Sequence, residues 1–296
     1  MSPRMSAIEH EIASQPSLWR RAATLAKADF GDLPARGTRI AAVGCGTSRH
    51  MALAYAAARE AAGAGETDAF VASEAPLDRG YDGVLAISRS GTTSEVLDLL
   101  QALPTSMPTY ALVGASETPV AAAADRVVVL DFADERSVVQ TRFATTALAY
   151  LLASIGTEVE PAAADAERAL AQDLPVDPGA ADAFVFLGRG WTVGLADEAA
   201  LKLREAALAH AESYPALEYR HGPIALAAAG TVVWPFGHIG RELLDDIEAT
   251  GATVAHAGLH PLAELVLVQR AAVARAKALS LDPDHPRNLT RSVVLR

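Results

Sequence analysis

Cysteine is nearly missing from this 296-residue chain: Cys45 stands alone, so no intramolecular disulfide can form and no zinc site built on several cysteines is available. Basic charge is also short. Lys and Arg number 25 against 36 Asp and Glu, a formal net charge of −11. That argues against nucleic acid and anionic membranes as partners, because both need a basic face. It does not argue against a small phosphate, which feels local donors. No apolar run approaches the ~20 residues of a membrane span. Met1-Ser2-Pro3-Arg4 lacks a basic stretch followed by an apolar one, so no secretory signal is expected and cytoplasm is the default. The eight histidines show no two-histidine-plus-carboxylate spacing, so no metal is expected. Gly-Lys-Ser/Thr is absent, and Gly44-Cys-Gly46 is not followed by the third glycine and acidic residue of a dinucleotide fingerprint. A nucleotide cofactor is therefore disfavoured.

What is present is ample apolar sequence in a regular order. Ser6 to Phe30 has helical spacing, with Ile8, Ile12, Leu18, Ala22 and Leu25 toward one side and a break expected at Gln15-Pro16. Thr38 to Val43 reads as a buried strand, Gly44 to Ser48 as its turn and Arg49 to Ala62 as a helix. Strands recur at Asp68–Ala72, Gly83–Ile87, Thr109–Val113 and Arg126–Leu130. Short apolar strands alternating with helices predict parallel sheets covered on both faces.

The pattern then restarts. Ala183 to Gly190 parallels Ile40 to Gly46, and Thr231 to Phe236 parallels the strand ending at Ile87. An internal repeat of this size changes the expected fold: an α/β protein of two tandem units, each a parallel sheet flanked by helices. The expected domains are 1–157 with the N-terminal helix, a connection at 158–182 rich in Ala, Pro and Asp, and 183–296 with a C-terminal tail.

The two units differ where chemistry would sit. Ile87-Ser88-Arg89-Ser90-Gly91-Thr92-Thr93-Ser94-Glu95 follows a buried strand and precedes a helical pattern, Val96 to Leu103. The first amides of a helix lack partners and its dipole favours negative charge, so this turn suits a phosphate. The hydroxyls add donors, and Gly91 lets the backbone come close. A simple N-cap would need only one such residue. The second copy has Gly237-His-Ile-Gly240 at this place, so one phosphate site per chain is expected, in the first half.

Trp191 to Glu212, read as a helix, places Glu198, Lys202 and Glu205 at spacings of four and three, on one face. The bland alternative is a solvated surface pair, worth a few tenths of a kcal/mol. His221, in a turn, can exchange protons near neutrality or be a solvated bystander. The tail Asp284 to Val293 is dense in hydrogen-bonding groups, which suggests that it folds back over something, whereas a Pro-marked tail normally frays.

Together these segments resemble the sugar isomerase (SIS) domain family. The nearest likeness is the isomerase half of glucosamine-6-phosphate synthase and its free-standing relatives that act on amino-sugar phosphates. The resemblance runs through Glu11-Ile12 with Gln15-Pro16, Cys45 to Ser48, Ile87 to Thr93, Glu135 to Thr146, Glu198 to Glu205, His221-Gly-Pro223 and Pro286 to Leu289. It implies that Thr47, Ser48, Ser88, Arg89, Ser90 and Thr93 hold the sugar phosphate, with Val138 near the sugar. It implies Glu205 as the base moving a proton between C1 and C2. Glu198 and Lys202 would support the sugar, and His221 would open its ring from the partner subunit of a homodimer. An aldose–ketose shift needs such a base, a group for the ring oxygen and an anchor on the phosphate.

Two departures stand out. Arg291 replaces the family's lysine near the C-terminus and cannot form a Schiff base, though it can polarise an oxygen. Arg89 stands where the synthase has glutamine. The first SIS unit also begins at once, which leads us to expect no glutaminase domain. The resulting expectation is a cofactor-free isomerase/deaminase acting on a hexosamine or ketose 6-phosphate. A deglycase of phosphorylated fructosamine adducts and a non-catalytic sugar-phosphate sensor are the alternatives.

Overall fold

The computed structural model describes residues 5–28 and 31–295. The signal-free reading of Met1–Arg4, the last two positions of the first helical pattern and the final Arg296 lie outside the described residues. Packing divides the chain into two compact units. One comprises Ser17–Glu135, Gln140–Val159 and 290–295; the other comprises 5–16, Arg136–Val139 and Glu160–Leu289.

The first helix, α1 (Ala7–Ala28), runs through Pro16 without ending there. A proline inside a helix strips its donor from the carbonyl four residues back, here Ile12. The Gln15 side-chain amide supplies the missing donor, 3.1 Å from the Ile12 oxygen. The expected break is thus repaired by the residue beside it.

The first sheet holds β1 (Ile40–Gly44), β2 (Thr67–Val71), β3 (Gly83–Ser88), β4 (Thr109–Val113) and β5 (Arg126–Val129) in the order β2-β1-β3-β4-β5. Every pairing is parallel. All residues of β1 and β3 are buried, whereas the edge strands β2 and β5 are partly exposed, as expected for sheets covered on both faces. The connecting helices are α2 (Thr47–Ala61), α3 (Ser94–Ala102), α4 (Pro119–Ala123) and α5 (Arg142–Ser154). On one side Val43, Val84, Ala86, Val96, Leu100 and Val120 form a continuous core. Helix α2 starts two residues before the expected Arg49, which places Thr47 and Ser48 in its first turn.

The second unit contains α6 (Glu160–Ala171), inside the expected connection, then β6 (Ala183–Gly188), α7 (Thr192–Ala207), β7 (His210–Pro215), β8 (Thr231–Pro235), α8 (Arg241–Ala249), β9 (Thr253–Val254) and α9 (Pro261–Ala278). Its parallel sheet is ordered β7-β6-β8-β9. In each sheet a first strand lies between the second and third, so β6 repeats the place of β1 and β8 that of β3. The turns agree as well: Gly46 and Gly190 both have positive φ, 52° and 58°, which glycine adopts at no steric cost. The two sheets, each flanked by helices, agree with two tandem units. One expectation fails: the helix read from Trp191 to Glu212 stops at Ala207. Leu208 turns left-handed (φ 50°) and the chain enters β7. Among the described residues no helix is long and apolar enough to cross a membrane.

Candidate active site

Helix starts and strand ends position the hydroxyl turn. Thr47 and Ser48 open α2 and are buried. Ser88, the last residue of β3, is buried, and its Oγ accepts from the Gly91 amide at 3.2 Å. The Ser90 Oγ accepts from the Thr92 amide at 3.2 Å. Gly91 has φ 63°, and a Cβ there would lie 2.2 Å from the Thr118 hydroxyl, so only glycine fits this close approach. Thr93 sits at the N-cap of α3 with extended backbone, yet its side chain makes no capping bond. Thr118 at the start of α4 does cap, accepting from the Ala121 amide. Simple capping therefore does not account for Thr93.

Arg89, expected on the phosphate, is buried with its guanidinium 3.9 Å from the Glu135 carboxylate and donates to the Arg291 carbonyl. Glu135 carries no assigned role from the sequence. Its Oε1 accepts from the Thr141 amide at 2.5 Å, the Thr141 hydroxyl at 2.9 Å and the Arg142 amide at 2.7 Å, satisfying the orphan donors that open α5. The tail folds back on this same unit. Thr92 Oγ1 donates to Ser292 Oγ at 3.1 Å, the Ser94 amide donates to the Val293 carbonyl at 3.2 Å, and the Leu295 amide donates to Ser94 Oγ at 2.9 Å. The Arg291 guanidinium reaches both Asp134 carboxylate oxygens at 2.6 and 2.7 Å and the Glu135 carbonyl. Cys45 is unsuited to nucleophilic work: burial pushes its thiol pKa up and the Glu95 carboxylate adds to the effect.

In the other unit, α7 carries the charged face. Lys202 Nζ lies 2.6 Å from Glu205 Oε2 and 3.2 Å from Glu198 Oε1. The side chains of Lys202 and Glu198 are each 1% exposed and that of Glu205 is 20% exposed. The solvated surface pair is not what the chain builds. Burial alone would lower the Lys202 pKa, but the neighbouring Glu198 and Glu205 carboxylates outweigh it and hold the ammonium above its ordinary value. Lys202 is therefore a fixed cation at neutral pH, and Glu205 is the member of the trio that reaches solvent. His221 is exposed at the end of a short 3-10 turn, Ala216–His221, beside Gly222. Val138 is half-buried in the 136–139 loop. Glu11, buried on α1, accepts hydrogen bonds from Arg136 and Ser137 in that loop. The signal for Glu11 was present: a carboxylate beside Ile8 and Ile12 on an apolar helix face needs partners. Among the described residues no cluster of His, Cys, Asp and Glu is placed to hold a metal.

No family model matches the chain. The isomerizing glutamine–fructose-6-phosphate aminotransferase of Methanothermobacter thermautotrophicus is 30% identical over 304 residues, taking in 87% of this chain and 52% of that protein. The same-named protein of Sulfurisphaera tokodaii is 28% identical over 87% of this chain and 50% of its own length. The chain thus spans about half the length of the curated relatives it matches. Among solved structures, glucosamine-6-phosphate deaminase of Thermotoga maritima superposes with a TM-score of 0.80 at 26% identity, covering 98% of this chain and 100% of that one. Tagatose-6-phosphate ketose/aldose isomerase of Escherichia coli shares the fold, with a TM-score of 0.77 at 20% identity over 98% and 96% of the two chains. The chain is a homologue of the isomerase (SIS) domain of these aminotransferases.

Proposed function

We propose that this chain is a phosphosugar isomerase/deaminase that takes a hexosamine 6-phosphate and releases ammonia and a ketose 6-phosphate. The observation that carries the reading is the α7 trio, a buried lysine clamped by two carboxylates of which Glu205 alone opens to solvent. Such a cation fixes the carboxylate geometry and can steady sugar hydroxyls, leaving Glu205 to move a proton between C2 and C1. His221, supplied by a second copy of the chain, opens the ring. Proton transfer from C2 to C1 of the open aldose turns its C2 amine into a ketose imine. Water then adds at C2 and ammonia departs.

The phosphate is held at Thr47, Ser48, Ser88, Ser90 and Thr93, with Arg89 beneath the turn supplying positive charge. Val138 lies by the sugar. Two features favour release of ammonia over synthesis of an amino sugar. The likeness to the Thermotoga maritima deaminase covers that protein's whole length. Arg291 offers no amine for a Schiff base; any oxygen it polarises is met by a guanidinium already steadied by Asp134. The enzyme works in the cytoplasm as a homodimer without a cofactor, on two tandem SIS units within 1–157 and 183–296.

The test is incubation with glucosamine and galactosamine 6-phosphates and with fructosamine phosphates, without metal or nucleotide, assaying ammonia, ketose phosphate and free amine. Ammonia stoichiometric with ketose 6-phosphate supports the deaminase. Aldose–ketose conversion without ammonia establishes a simple isomerase, release of an intact amine a deglycase, and binding without turnover a sensor. Ser90→Ala with Thr93→Ala should abolish thermal stabilisation by hexose 6-phosphates, since two charge-assisted hydrogen bonds are worth about 3 kcal/mol or more. Unchanged thermal shifts would move the phosphate elsewhere.

A further inference from the structure

We propose that Glu11 is a positioning residue for substrate, acting through the 136–139 loop that carries Val138. The inference rests on the reading that Val138 lies by the sugar. Glu11 is 2% exposed, between Ile8 and Ile12, which are equally buried. One carboxylate oxygen accepts from the Arg136 amide at 2.5 Å and the Ser137 amide at 3.4 Å, and the other accepts from the Ser137 hydroxyl. A buried carboxylate is costly unless its lone pairs are filled, and here a single loop fills them. Two successive amides and a hydroxyl converging on one carboxylate fix the backbone at 136–137 and so the direction in which residue 138 departs.

The anchor for this grip is itself held on several sides. The Asp284 carboxylate accepts from the Ala7 and Ile8 amides at 2.9 Å each, closing the start of α1. Lys277 on α9 pairs with Glu9 at 2.5 Å. Gln15 donates to Gln269 of α9 at 2.7 Å as well as to the Ile12 carbonyl. Glu11 therefore stands on a helix segment tied to α9 before and after it. Val139, which follows, is buried and fixes the far side of Val138. The Glu-Ile-x-x-Gln-Pro run at 11–16 thus divides its labour: Gln15 repairs the helix at Pro16 and binds α9, and Glu11 sets the loop.

Glu11→Gln keeps the shape but removes the charge to which the Arg136 and Ser137 amides donate. With glucosamine 6-phosphate as probe, KM should rise about tenfold, as for loss of one hydrogen bond to a charged group, while kcat changes little. Inorganic phosphate, which touches only the hydroxyl turn, should protect the variant from heat as it protects the parent. The KM effect should shrink in a Val138→Ala background, because the two residues act in series. Should Glu11→Gln fold poorly, Ser137→Ala removes one contact and should reproduce the KM effect more weakly. A lowered melting temperature with unchanged KM in both variants would reduce Glu11 to a structural role. Full additivity with Val138→Ala would also overturn the proposal. A parent chain that neither binds nor turns over any hexose or hexosamine 6-phosphate overturns the function and this inference together. An active parent with an unaltered KM in Glu11→Gln overturns this inference alone.

Discussion

At Lys202 the distribution of charge decides what the site can do. A lysine 1% exposed between Glu198 at 3.2 Å and Glu205 at 2.6 Å is kept protonated by its neighbours, so it is neither a base nor a nucleophile at neutral pH. Removing it takes the cation away from Glu198, which is equally buried. Lys202→Met should therefore cost about 3–5 kcal/mol of stability, the usual penalty for breaking a buried pair by one partner. Glu205→Gln should cost much less, because that side chain is 20% exposed, yet it should stop exchange of the C2 proton with solvent while hexose 6-phosphate still binds. Urea midpoints and deuterium incorporation followed by NMR read the two effects separately. A Lys202→Met protein as stable as its parent would contradict the buried-cation account. The spacing of these residues was legible in the sequence, since positions four and three apart share a helix face. Their burial was not, because periodicity reports which residues face together and not what covers them. Asp134 and Glu135 were opaque for a related reason: their partners, Arg291 and Arg89, are joined to them only by the fold.

Elements were most legible where burial is uniform and least where an end is set by one unusual residue. Strand β4 occupies the expected Thr109–Val113 to the residue, and β1, β3, β6 and β8 lie within a residue or two of their apolar runs. The helical spacing expected through Glu212 overruns into His210–Pro215, which forms β7: it is a polar edge strand, and the helix before it ends on Leu208 rather than on a glycine. Helix α9 has a cap that can be switched. The His260 side chain accepts from the Leu262 amide at 3.2 Å, which requires an unprotonated ring nitrogen. Burial lowers the His260 pKa and the nearby Asp165 only partly opposes this. A histidine whose folded pKa lies below its unfolded 6.5 contributes stability that is whole above that pH. The contribution declines as the unfolded chain takes up its proton and is gone once pH has fallen through the folded value. His260→Asn keeps a capping acceptor without titrating, so its stability should fall less between pH 7 and pH 5 than the parent's. Parallel losses in the two proteins over that range, measured by thermal unfolding, would refute the titrating cap.

At the scale of the whole molecule, two sheets of matching strand order carry different chemistry. The first bears the hydroxyl turn and its tail, and the second bears the α7 trio and His221. Near His221 in sequence, Leu217 is 50% exposed and Leu226 70% exposed, in a run of 3-10 turns following edge strand β7 that also exposes Glu218 and Arg220. In our proposed function a second copy of the chain packs here and takes His221 into its own site. In a two-fold dimer of that kind each site joins Glu205 of one subunit to His221 of the other. Glu205→Gln lacks the base, and His221→Asn cannot open a cyclic substrate, so each homodimer should be inactive on cyclic glucosamine 6-phosphate. After subunit exchange at equal concentrations about half the dimers are mixed, and in each of these one site holds both intact residues. Activity should return to about a quarter of the parent's by the same count. If His221 instead serves its own chain, no mixed dimer contains an intact site and nothing returns. Mass-tagged subunits verify the exchange, and ammonia release reads the outcome. Recovery near one quarter would assign His221 across the two-fold axis, whereas complete silence after verified exchange would place both residues in one subunit.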